Sequence, residues 1–375
     1  MAPGCREGGE GPPFVSLSMK LVMTLVVRDE ADILDANLAF HLNAGVDLVV
    51  AIDHRSEDGT TEILERYERA GFLHLIREES EDYRPSEWRT HLVRLAATDF
   101  EADWIVNSDA DEFYWPRGGS LKDVLMTIPP RFGVLQAPIR HFFLRPEDGS
   151  FFSERMTARL VLNAAINAPG NPLRPNTHVL HRGDPEAVVG VGSHRVLGSP
   201  LVCLTGWHPV EVLHFPLRSV DQARRRHSLP ARASTHGNVF EAHERGQLEE
   251  ALQETVLKDD VLARGLAEGS LVIDTRLRDA LRVLAGAEAE PVPGGAEFGP
   301  PGPEAPRLRF PRPSVVDDAA FAVEAAVLGE ADTVRLQRRL DELERRLAAL
   351  EGKPWRRALD GKGLRLRLRQ LASGR

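Results

Sequence analysis

Residues 104–115 read W-I-V-N-S-D-A-D-E-F-Y-W. The apolar run 104–106 has the length and β-branched content of a buried strand. Three carboxylates, Asp109, Asp111 and Glu112, follow the run, and aromatic residues come directly after them. The pattern predicts a buried strand that ends in a group of acidic side chains held between apolar anchors.

The spacing of these carboxylates indicates a cation. In an extended segment side chains alternate, so Asp109 and Asp111 would project to the same side. Two carboxylates this close repel each other, and one gains a proton unless a cation lies between them. Hard oxygen ligands select Mg²⁺ or Mn²⁺, which keep positions open for phosphates. Because ligands of α/β sheets bind beyond the carboxyl ends of strands, we expect a metal site for a phosphorylated substrate. An acidic turn is the alternative.

The composition is that of a soluble globular protein. The chain has 375 residues, of which 42% are hydrophobic and 27% charged, and its net charge of −9 gives no general nucleic-acid signature. Two cysteines, Cys5 and Cys203, exclude a disulfide framework and fit a reducing cytoplasm. No apolar run is long enough to span a membrane. Residues 1–18 lack the apolar core of a signal peptide and are expected to be a disordered leader.

Strand-like and helical patterns alternate before Trp104. Apolar runs of strand length cover 21–27, 48–52 and 72–76, and helical patterns separate them. This alternation predicts an α/β fold with a mostly parallel, doubly wound sheet flanked by helices. Right-handed crossovers would then place Arg28, Asp53 and Asp109 at one edge of that sheet.

The C-terminal third predicts helices and a linker. Residues 236–285 have a helical pattern, and the Pro- and Gly-rich stretch 286–313 is typical of a linker. Ser314-x-x-Asp317 is expected to cap a helix that ends at Gly329. Within residues 314–352 a short coiled coil, able to pair two chains, is predicted from leucines at heptad spacing: Leu336, Leu340, Leu343, Leu347 and Leu350.

The tail, residues 353–375, is basic. Leu364, Leu368 and Leu371 would share one face of a helix, which suits peripheral contact with the inner face of a membrane. A solvated basic tail is the alternative interpretation.

Four blocks together carry a resemblance. They are R-D-E-A-D-I-L at 28–34, D-H-R-S-E-D-G-T at 53–60, N-S-D-A-D-E-F at 107–113 and H-F-P-L-R-S at 214–219. In order and spacing they resemble GT-A glycosyltransferases of the family 2 group and the related bacterial and family 92 sequences with an Asp-x-Asp-Glu-Phe signature. The resemblance covers about 19–235 and implies a GT-A, Rossmann-like sheet.

The resemblance also implies roles for individual residues. It assigns nucleotide-sugar binding to Arg28, Asp29, Glu30 and Asp53, contact with the ribose and metal to Asp109, ligation of Mn²⁺ or Mg²⁺ to Asp111, and the third ligand position to His214. The implied activity is metal-dependent transfer of a sugar from a nucleotide-sugar donor to a hydroxyl of a glycan or lipid-linked acceptor, with inversion. Inversion needs a general base, for which the candidates are Glu112, His194 and Glu211.

Other interpretations stay open at this point. Asp53 could cap the turn that follows it, and His214 could be a core histidine. Arg155 and Arg159 have the spacing to meet a phosphate together, or they lie on a solvated surface. A sugar nucleotidylyltransferase would use a similar sheet and metal, but its Gly-rich loop does not match 28–31. A scaffold with a vestigial site is the non-catalytic alternative.

Overall fold

The computed structural model describes residues 19–162, 176–227, 254–302 and 308–351. The chain divides into two compact units. The first, which we call the sheet unit, comprises Met1–Val161 and Asn176–Asp318, and the second comprises Leu162–Pro175 and Ala319–Arg375.

The sheet unit alternates strands and helices in its first half and is richer in strands in its second. Its strands are β1 (Leu21–Val27), β2 (Leu48–His54), β3 (Leu73–Glu78), β4 (Trp104–Ser108), β5 (Glu112–Pro116), β6 (Phe132–His141), β7 (Ala158–Leu160), β8 (Thr177–Arg182), β9 (Val188–Val189), β10 (Val196–Leu197), β11 (Val202–Leu204), β12 (Val210–His214) and β13 (Leu271–Ile273). Its helices are α1 (Ala31–Ala44), α2 (Thr60–Arg69), α3 (Pro85–Thr98), α4 (Leu121–Met126), α5 (Phe152–Arg155), α6 (Val220–His227), α7 (Asp259–Glu268) and α8 (Arg276–Leu284). A last helix, α9 (Val315–Glu351), begins in the sheet unit and continues into the second unit.

The main sheet has the strand order β3-β2-β1-β4-β8-β6-β12-β5 among the described residues, and β11 pairs with β6. Strands β3, β2, β1 and β4 are all parallel. Strand β8 is antiparallel to both of its neighbours, β4 and β6, so β6 again runs in the direction of β4. The expected α/β class with a mostly parallel sheet flanked by helices is confirmed.

The register fixes which side chains meet at the carboxyl edge of the sheet. Val27 of β1 pairs with Asp53 of β2, and Leu25 pairs with Ser108 at the end of β4. Arg28, Asp53 and Asp109 therefore follow neighbouring strands at one edge, as the sequence predicts.

Apolar side chains on both faces of β1 explain why helices cover both sides of the sheet. Leu21, Met23 and Leu25 point into a core cluster shared with α1 and α2, whereas Val22 and Val26 point into a second cluster shared with α3. Continuous apolar strands are buried on both faces in parallel sheets. The two layers of helices leave the carboxyl edge as the place where polar side chains collect.

Described residues within the expected linker 286–313 include buried apolar side chains, which a linker does not have. Val292 is fully buried and Phe310 is 4% exposed. The Phe310 ring contacts Trp115 edge to face, with centroids 4.7 Å apart, and its backbone exchanges hydrogen bonds with Gly119. Composition suggested a linker because prolines and glycines prevent regular structure, but an irregular segment can still bury apolar side chains.

The helix that follows differs from expectation at its end. Ser314 and Asp317 form the expected capping box, each side chain accepting a hydrogen bond from the other's backbone amide. The helix continues through Gly329 to Glu351, because Gly329 keeps a helical backbone here instead of the left-handed conformation of a helix end. Leu340 and Leu343 are each about half exposed, at 55% and 51%. Pairing of two chains through the leucines stays a prediction.

Several sequence predictions fall on residues outside the described ranges. These are the leader 1–18, the first part of the expected helical stretch 236–285, and the basic tail 353–375. Residues 259–268 and 276–284 of that stretch are helical, as expected. Across the described ranges, every helix is too short or too polar to traverse a lipid bilayer.

The buried position of Phe310 gives a first prediction. Replacement by Ala should lower the free energy of unfolding by about 3–5 kcal/mol, because it removes a large core side chain. Chemical denaturation of the full chain measures this, with Met126→Ala, at a 62% exposed position, as the control. A change for Phe310→Ala of less than about 0.5 kcal/mol would restore the linker interpretation.

Candidate functional site

Strand direction brings two distant parts of the chain to the carboxyl edge. Strand β12 runs parallel to β6, so its last residue, His214, lies at the same edge as the end of β4. Strand β5 is antiparallel to β12, so its first residue, Glu112, starts at that edge. Glu112 and His214 are directly paired in the ladder. The acidic stretch thus meets the histidine block.

The acidic stretch itself is a turn. The backbone N–H of Glu112 donates to the carbonyl of Asp109 at 3.1 Å, which reverses the chain between β4 and β5. The expectation that Asp109 and Asp111 share one side assumed an extended segment, and the turn removes that alternation. Asp109 instead accepts a hydrogen bond from Arg89 of α3 at 2.5 Å.

Arg89 neutralises Asp109. Burial alone would raise the pKa of Asp109, but the charge and hydrogen bond of Arg89 outweigh both burial and the nearby charge of Asp111, so the pKa lies below its ordinary value. Arg89 was not a candidate in the sequence, since nothing in the pattern of α3 separates it from surface arginines.

The structure groups Asp111, Glu112 and His214. One ligand atom from each lies within 4.8 Å of the others, and Nε2 of His214 is 3.6 Å from Oδ1 of Asp111. Asp111 and Glu112 are each 2% exposed. The group contains Asp111 and His214, two of the three metal ligands that the resemblance implies. It contains Glu112 in place of the third, Asp109.

Two neighbouring histidines orient the group. Nδ1 of His214 lies 3.1 Å from Nδ1 of His141, the residue paired with it on β6. If that nitrogen of His214 carries the proton, its Nε2 presents a lone pair toward Asp111. Nδ1 of His178 lies 3.2 Å from Oε2 of Glu112. Histidines that bind metals are commonly held by a hydrogen bond at their second ring nitrogen, and in His214 that nitrogen is the one that contacts His141.

Two side chains of α1 form hydrogen bonds with the backbone in and after the turn. The amide of Asn37 donates to the carbonyls of Ala110 and Glu112, at 3.0 and 2.7 Å. One turn later, Nε2 of His41 accepts the backbone N–H of Tyr114 at 3.1 Å, while Nδ1 donates to the carbonyl of Asn37. Both side chains are fully buried. They fix the backbone on either side of Asp111 and Glu112, although neither is a ligand.

Arg218 links the first block of the sequence to the last. Its guanidinium donates to Glu30 at 2.6 Å and to both carboxylate oxygens of Asp32, at 2.7 and 2.8 Å. It also donates to the carbonyl of Phe215, whose own N–H donates to the carbonyl of Asp111. Burial by itself would lower the pKa of Arg218, but the facing carboxylates raise it. Glu30, expected to bind nucleotide, is therefore held in an ion pair.

Asp53 and Asp29 hold the two loops at the edge of β1 and β2. The Asp53 carboxylate accepts hydrogen bonds from the hydroxyls of Ser56 and Thr61, at 2.6 and 2.5 Å. Asp29 accepts the N–H of Glu57 at 2.8 Å. Asp53 therefore makes contacts within the turn that follows it, which is the alternative role that the sequence leaves open. Arg28 lies beside Asp29, with Nε 3.5 Å from its carboxylate.

Two candidate bases lie elsewhere. Glu211 alternates with His214 along β12 and so faces the opposite side of the sheet, where Arg117, Arg140 and Arg276 contact its carboxylate at 2.7–3.0 Å. Burial would raise the pKa of Glu211, but these three cations hold it far below its ordinary value. Both ring nitrogens of His194 have partners, the carbonyl of Thr177 and the amide of Asn176. Glu112 alone of the three candidates joins the group.

An aromatic cluster supports the group. Phe113 follows Glu112 and Phe215 follows His214, and their rings meet edge to face with centroids 5.9 Å apart. Phe142 stacks on Phe215 at 4.4 Å. The three rings are each at most 4% exposed, so the strand ends that carry Glu112 and His214 are anchored in packed core.

Comparison with known proteins gives structural neighbours only. No protein-family model and no curated protein matches the sequence. Similar solved structures include Staphylococcus aureus TarS, 16% identical over 61% of this chain and 43% of that one, with a TM-score of 0.33. Another is the Pyrobaculum calidifontis mannosyltransferase PcManGT with GDP-Man and Mn²⁺, 20% identical over 32% of this chain and 35% of that one, TM-score 0.25.

A third similar structure is glucosyl-3-phosphoglycerate synthase from Mycobacterium tuberculosis with Mn²⁺ and UDP. It is 15% identical over 47% of this chain and 63% of that one, with a TM-score of 0.27. The chain spans less than half of the TarS chain and about a third of the mannosyltransferase chain.

The two hydrogen bonds from Asn37 to the turn give a prediction for metal binding. Asn37→Ala removes the amide donor from two buried carbonyls, of which that of Glu112 keeps only a long contact of 3.4 Å with the Ser108 hydroxyl. We therefore expect a loss of about 1–3 kcal/mol in stability. Mn²⁺ affinity should fall roughly tenfold, as for other residues that orient ligands. Denaturation and Mn²⁺ titration by electron paramagnetic resonance measure the two effects.

Asn43→Ala on the same helix is the matched control. In the described part of the chain, the side-chain amide of Asn43 donates to the carbonyl of Ala39, one turn earlier in α1, and makes no contact with the turn. We expect Mn²⁺ affinity to be unchanged in this variant. Equal Mn²⁺ affinities in the Asn37 and Asn43 variants would contradict the role of Asn37.

His41 predicts a loss of stability in acid. Burial lowers its pKa from 6.5 to about 4, and the N–H of Tyr114 requires the unprotonated nitrogen. Between pH 6.5 and 4 the unfolded chain therefore binds the proton and the folded chain does not, so stability falls as the pH falls through this range. This shift in the pKa of His41 corresponds to a loss of about 3 kcal/mol in the free energy of unfolding between pH 6.5 and 4.

His41→Gln tests this pH dependence because Gln can replace both hydrogen bonds and does not titrate. The free energy of unfolding of this variant should depend less steeply on pH between 6.5 and 4 than that of the wild type. Identical slopes would show that His41 is not the titrating group.

Proposed function

We propose that the chain is a metal-dependent glycosyltransferase of GT-A type, which transfers a sugar from a nucleotide-sugar donor to an acceptor hydroxyl. The observation that carries the proposal is the meeting of Asp111, Glu112 and His214 at the carboxyl edge of a mostly parallel sheet. Parallel α/β sheets bind their ligands at that edge. The resemblance of the four sequence blocks leads to the same function.

The residues present fit a divalent cation. Two carboxylates and one imidazole supply oxygen and nitrogen donors that suit Mn²⁺, and Mg²⁺ accepts the two carboxylates. A cation held by Asp111, Glu112 and His214 would neutralise the charge that develops on a leaving nucleoside diphosphate. Asp109 is already paired with Arg89, so the net negative charge that attracts the cation comes from Asp111 and Glu112.

The donor nucleotide would lie over the ends of β1 and β2. Arg28 is partly exposed there, and Asp29 and Asp53 hold the two loops together. We propose that these acidic residues shape the nucleotide site mainly through the loops they fix. Asp109, which retains 34% of its side-chain exposure, is the carboxylate available to a ribose.

The finer features of the reaction stay predictions. Inversion at the sugar carbon follows from the family resemblance, and no base is assigned, since Glu112 belongs to the metal group. A sugar nucleotidylyltransferase would release pyrophosphate from a nucleoside triphosphate and a sugar phosphate, so a pyrophosphate assay separates the two activities. Glycan or lipid-linked acceptors, dimerisation and location at the inner face of the cytoplasmic membrane are likewise predictions.

Replacement of His214 tests the proposal. The wild-type chain should be stabilised by UDP-, GDP- or dTDP-sugars only when Mn²⁺ is present, as measured by thermal shift. In His214→Ala the Mn²⁺ concentration needed for half of this stabilisation should rise roughly tenfold or more, because one ligand is lost.

His208→Ala is the control, a buried histidine whose ring contacts the carbonyl of Gln136 away from the group. Its Mn²⁺ requirement should match that of the wild type. Absence of Mn²⁺-dependent stabilisation of the wild type by every nucleotide-sugar would refute the proposed function. A lower melting temperature of metal-free His214→Ala with an unchanged Mn²⁺ requirement would make His214 a core histidine.

A further inference from the structure

A cavity of about 390 Å³ lies in the sheet unit beside the metal group. Its lining includes Ile63 and Arg66 of α2, Phe152 and Arg155 of α5, and Arg218. Arg218 lines the cavity and is also connected to Asp111, Glu112 and His214, which we call the metal group. It donates a hydrogen bond to the carbonyl of Phe215, and the N–H of Phe215 donates to the carbonyl of Asp111. Helices α1 and α2 also contribute to the lining, through Asp32, Asp35, Ile63 and Arg66.

Two of the three arginines that line this cavity are neutralised. Arg66 pairs with Asp35 at 2.7 Å and with Glu297 at 3.3 Å. Arg218 pairs with Glu30 and Asp32, as described above. Neither guanidinium needs a ligand to balance its charge.

Arg155 is different. Its Nη2 donates to the carbonyl of Arg218 at 2.7 Å, but its Nε and Nη1 are buried without a hydrogen-bond partner in the described part of the chain. No carboxylate of the described residues forms an ion pair with it. Burial lowers the pKa of Arg155, and the more distant charges of Glu147, Asp148 and Asp32 do not make up the difference. A buried N–H donor without an acceptor is costly, so an acceptor supplied by a ligand is expected at these two nitrogens.

The second arginine of the sequence pair has a structural role instead. Arg159 contacts Asp274 at 2.9 Å, and that carboxylate also pairs with Arg276. The two arginines therefore do not meet one phosphate together, and only Arg155 reaches the cavity.

We propose that this cavity is a binding site for a phosphate or carboxylate group, which accepts hydrogen bonds from Nε and Nη1 of Arg155, and that the group belongs to the sugar acceptor. The proposal rests on the proposed glycosyltransferase function for the identity of the ligand as acceptor. The apolar wall of Ile63 and Phe152 suits the carbon skeleton that carries the anionic group. The position next to Arg218 puts such an acceptor beside the metal group that would hold the donor.

Anion binding by the full chain in EDTA tests the cavity apart from the metal. Inorganic phosphate, glycerol phosphate and acetate are the probes, and calorimetry and thermal shift are the measurements. Wild type should bind a phosphate or a carboxylate probe, and Arg155→Met should bind it at least about tenfold more weakly, as expected for loss of one charged contact. Arg155→Lys, which keeps the charge, should recover part of the affinity. Arg264→Met is the matched control, a 62% exposed arginine on α7.

The unliganded variant separates a binding role from a structural one. Without anion, Arg155→Met should melt at or above the wild-type temperature, because two buried N–H donors without acceptors have been removed. A melting temperature several degrees lower would make Arg155 a structural residue and overturn the proposal. Absence of anion binding by wild type, or equal binding by wild type and Arg155→Met, would overturn it as well.

Two further comparisons identify the source of the anion and test the cavity proposal separately from the proposed function. Tighter binding of glycerol phosphate than of inorganic phosphate supports an acceptor, whereas equal or weaker binding indicates a free anion and overturns the acceptor assignment. Arg155→Met should keep the Mn²⁺-dependent stabilisation by nucleotide-sugar. If wild type shows that stabilisation but no anion binding, the cavity proposal fails and the proposed function stands. If it shows anion binding alone, the proposed function fails.

Discussion

The pairing of β5 with β12 is the interaction on which the site depends. It sets Glu112 opposite His214 in an antiparallel ladder and brings Asp111, in the turn before β5, to the same edge. Side chains on such paired positions are neighbours by geometry, so the group needs no further element to assemble it. The turn between β4 and β5 has a second consequence, because it sends Asp109 to Arg89 and leaves Asp111 for the group.

Other parts of the fold make this pairing rigid. Asn37 and His41 hold the backbone of the turn from α1, and Arg218 connects the end of β12 to the start of α1 through Glu30 and Asp32. Each contact joins segments far apart in sequence. Preorganisation of this kind stabilises a charged group in one geometry before a ligand binds. Arg155 differs from the two other arginines of the cavity, since Arg66 and Arg218 each pair with carboxylates and Arg155 forms no ion pair with a described residue.

The sequence predicts what depends on local pattern. The apolar runs of β1, β2 and β4 and the helices between them follow from periodicity, and the shared edge follows from parallel strands. Contacts between distant residues are not visible in one sequence, which is why Glu211 was a candidate base and the ion pair of Glu30 was missed. Composition likewise does not reveal that Val292 and Phe310, within the expected linker 286–313, are buried. Gly329 shows the same limit, since a glycine within a long helix has the same sequence signal as one at its end.

We propose that Asp111, Glu112 and His214 together hold a divalent cation at the carboxyl edge of the sheet. Anomalous diffraction from crystals of the full chain grown with Mn²⁺ and a nucleoside diphosphate measures this directly. We expect one Mn²⁺ peak about 2 Å from a carboxylate oxygen of Asp111 and from Nε2 of His214, with Glu112 in the same group. A peak bound by Asp109 without His214, or no peak at this edge, would contradict it.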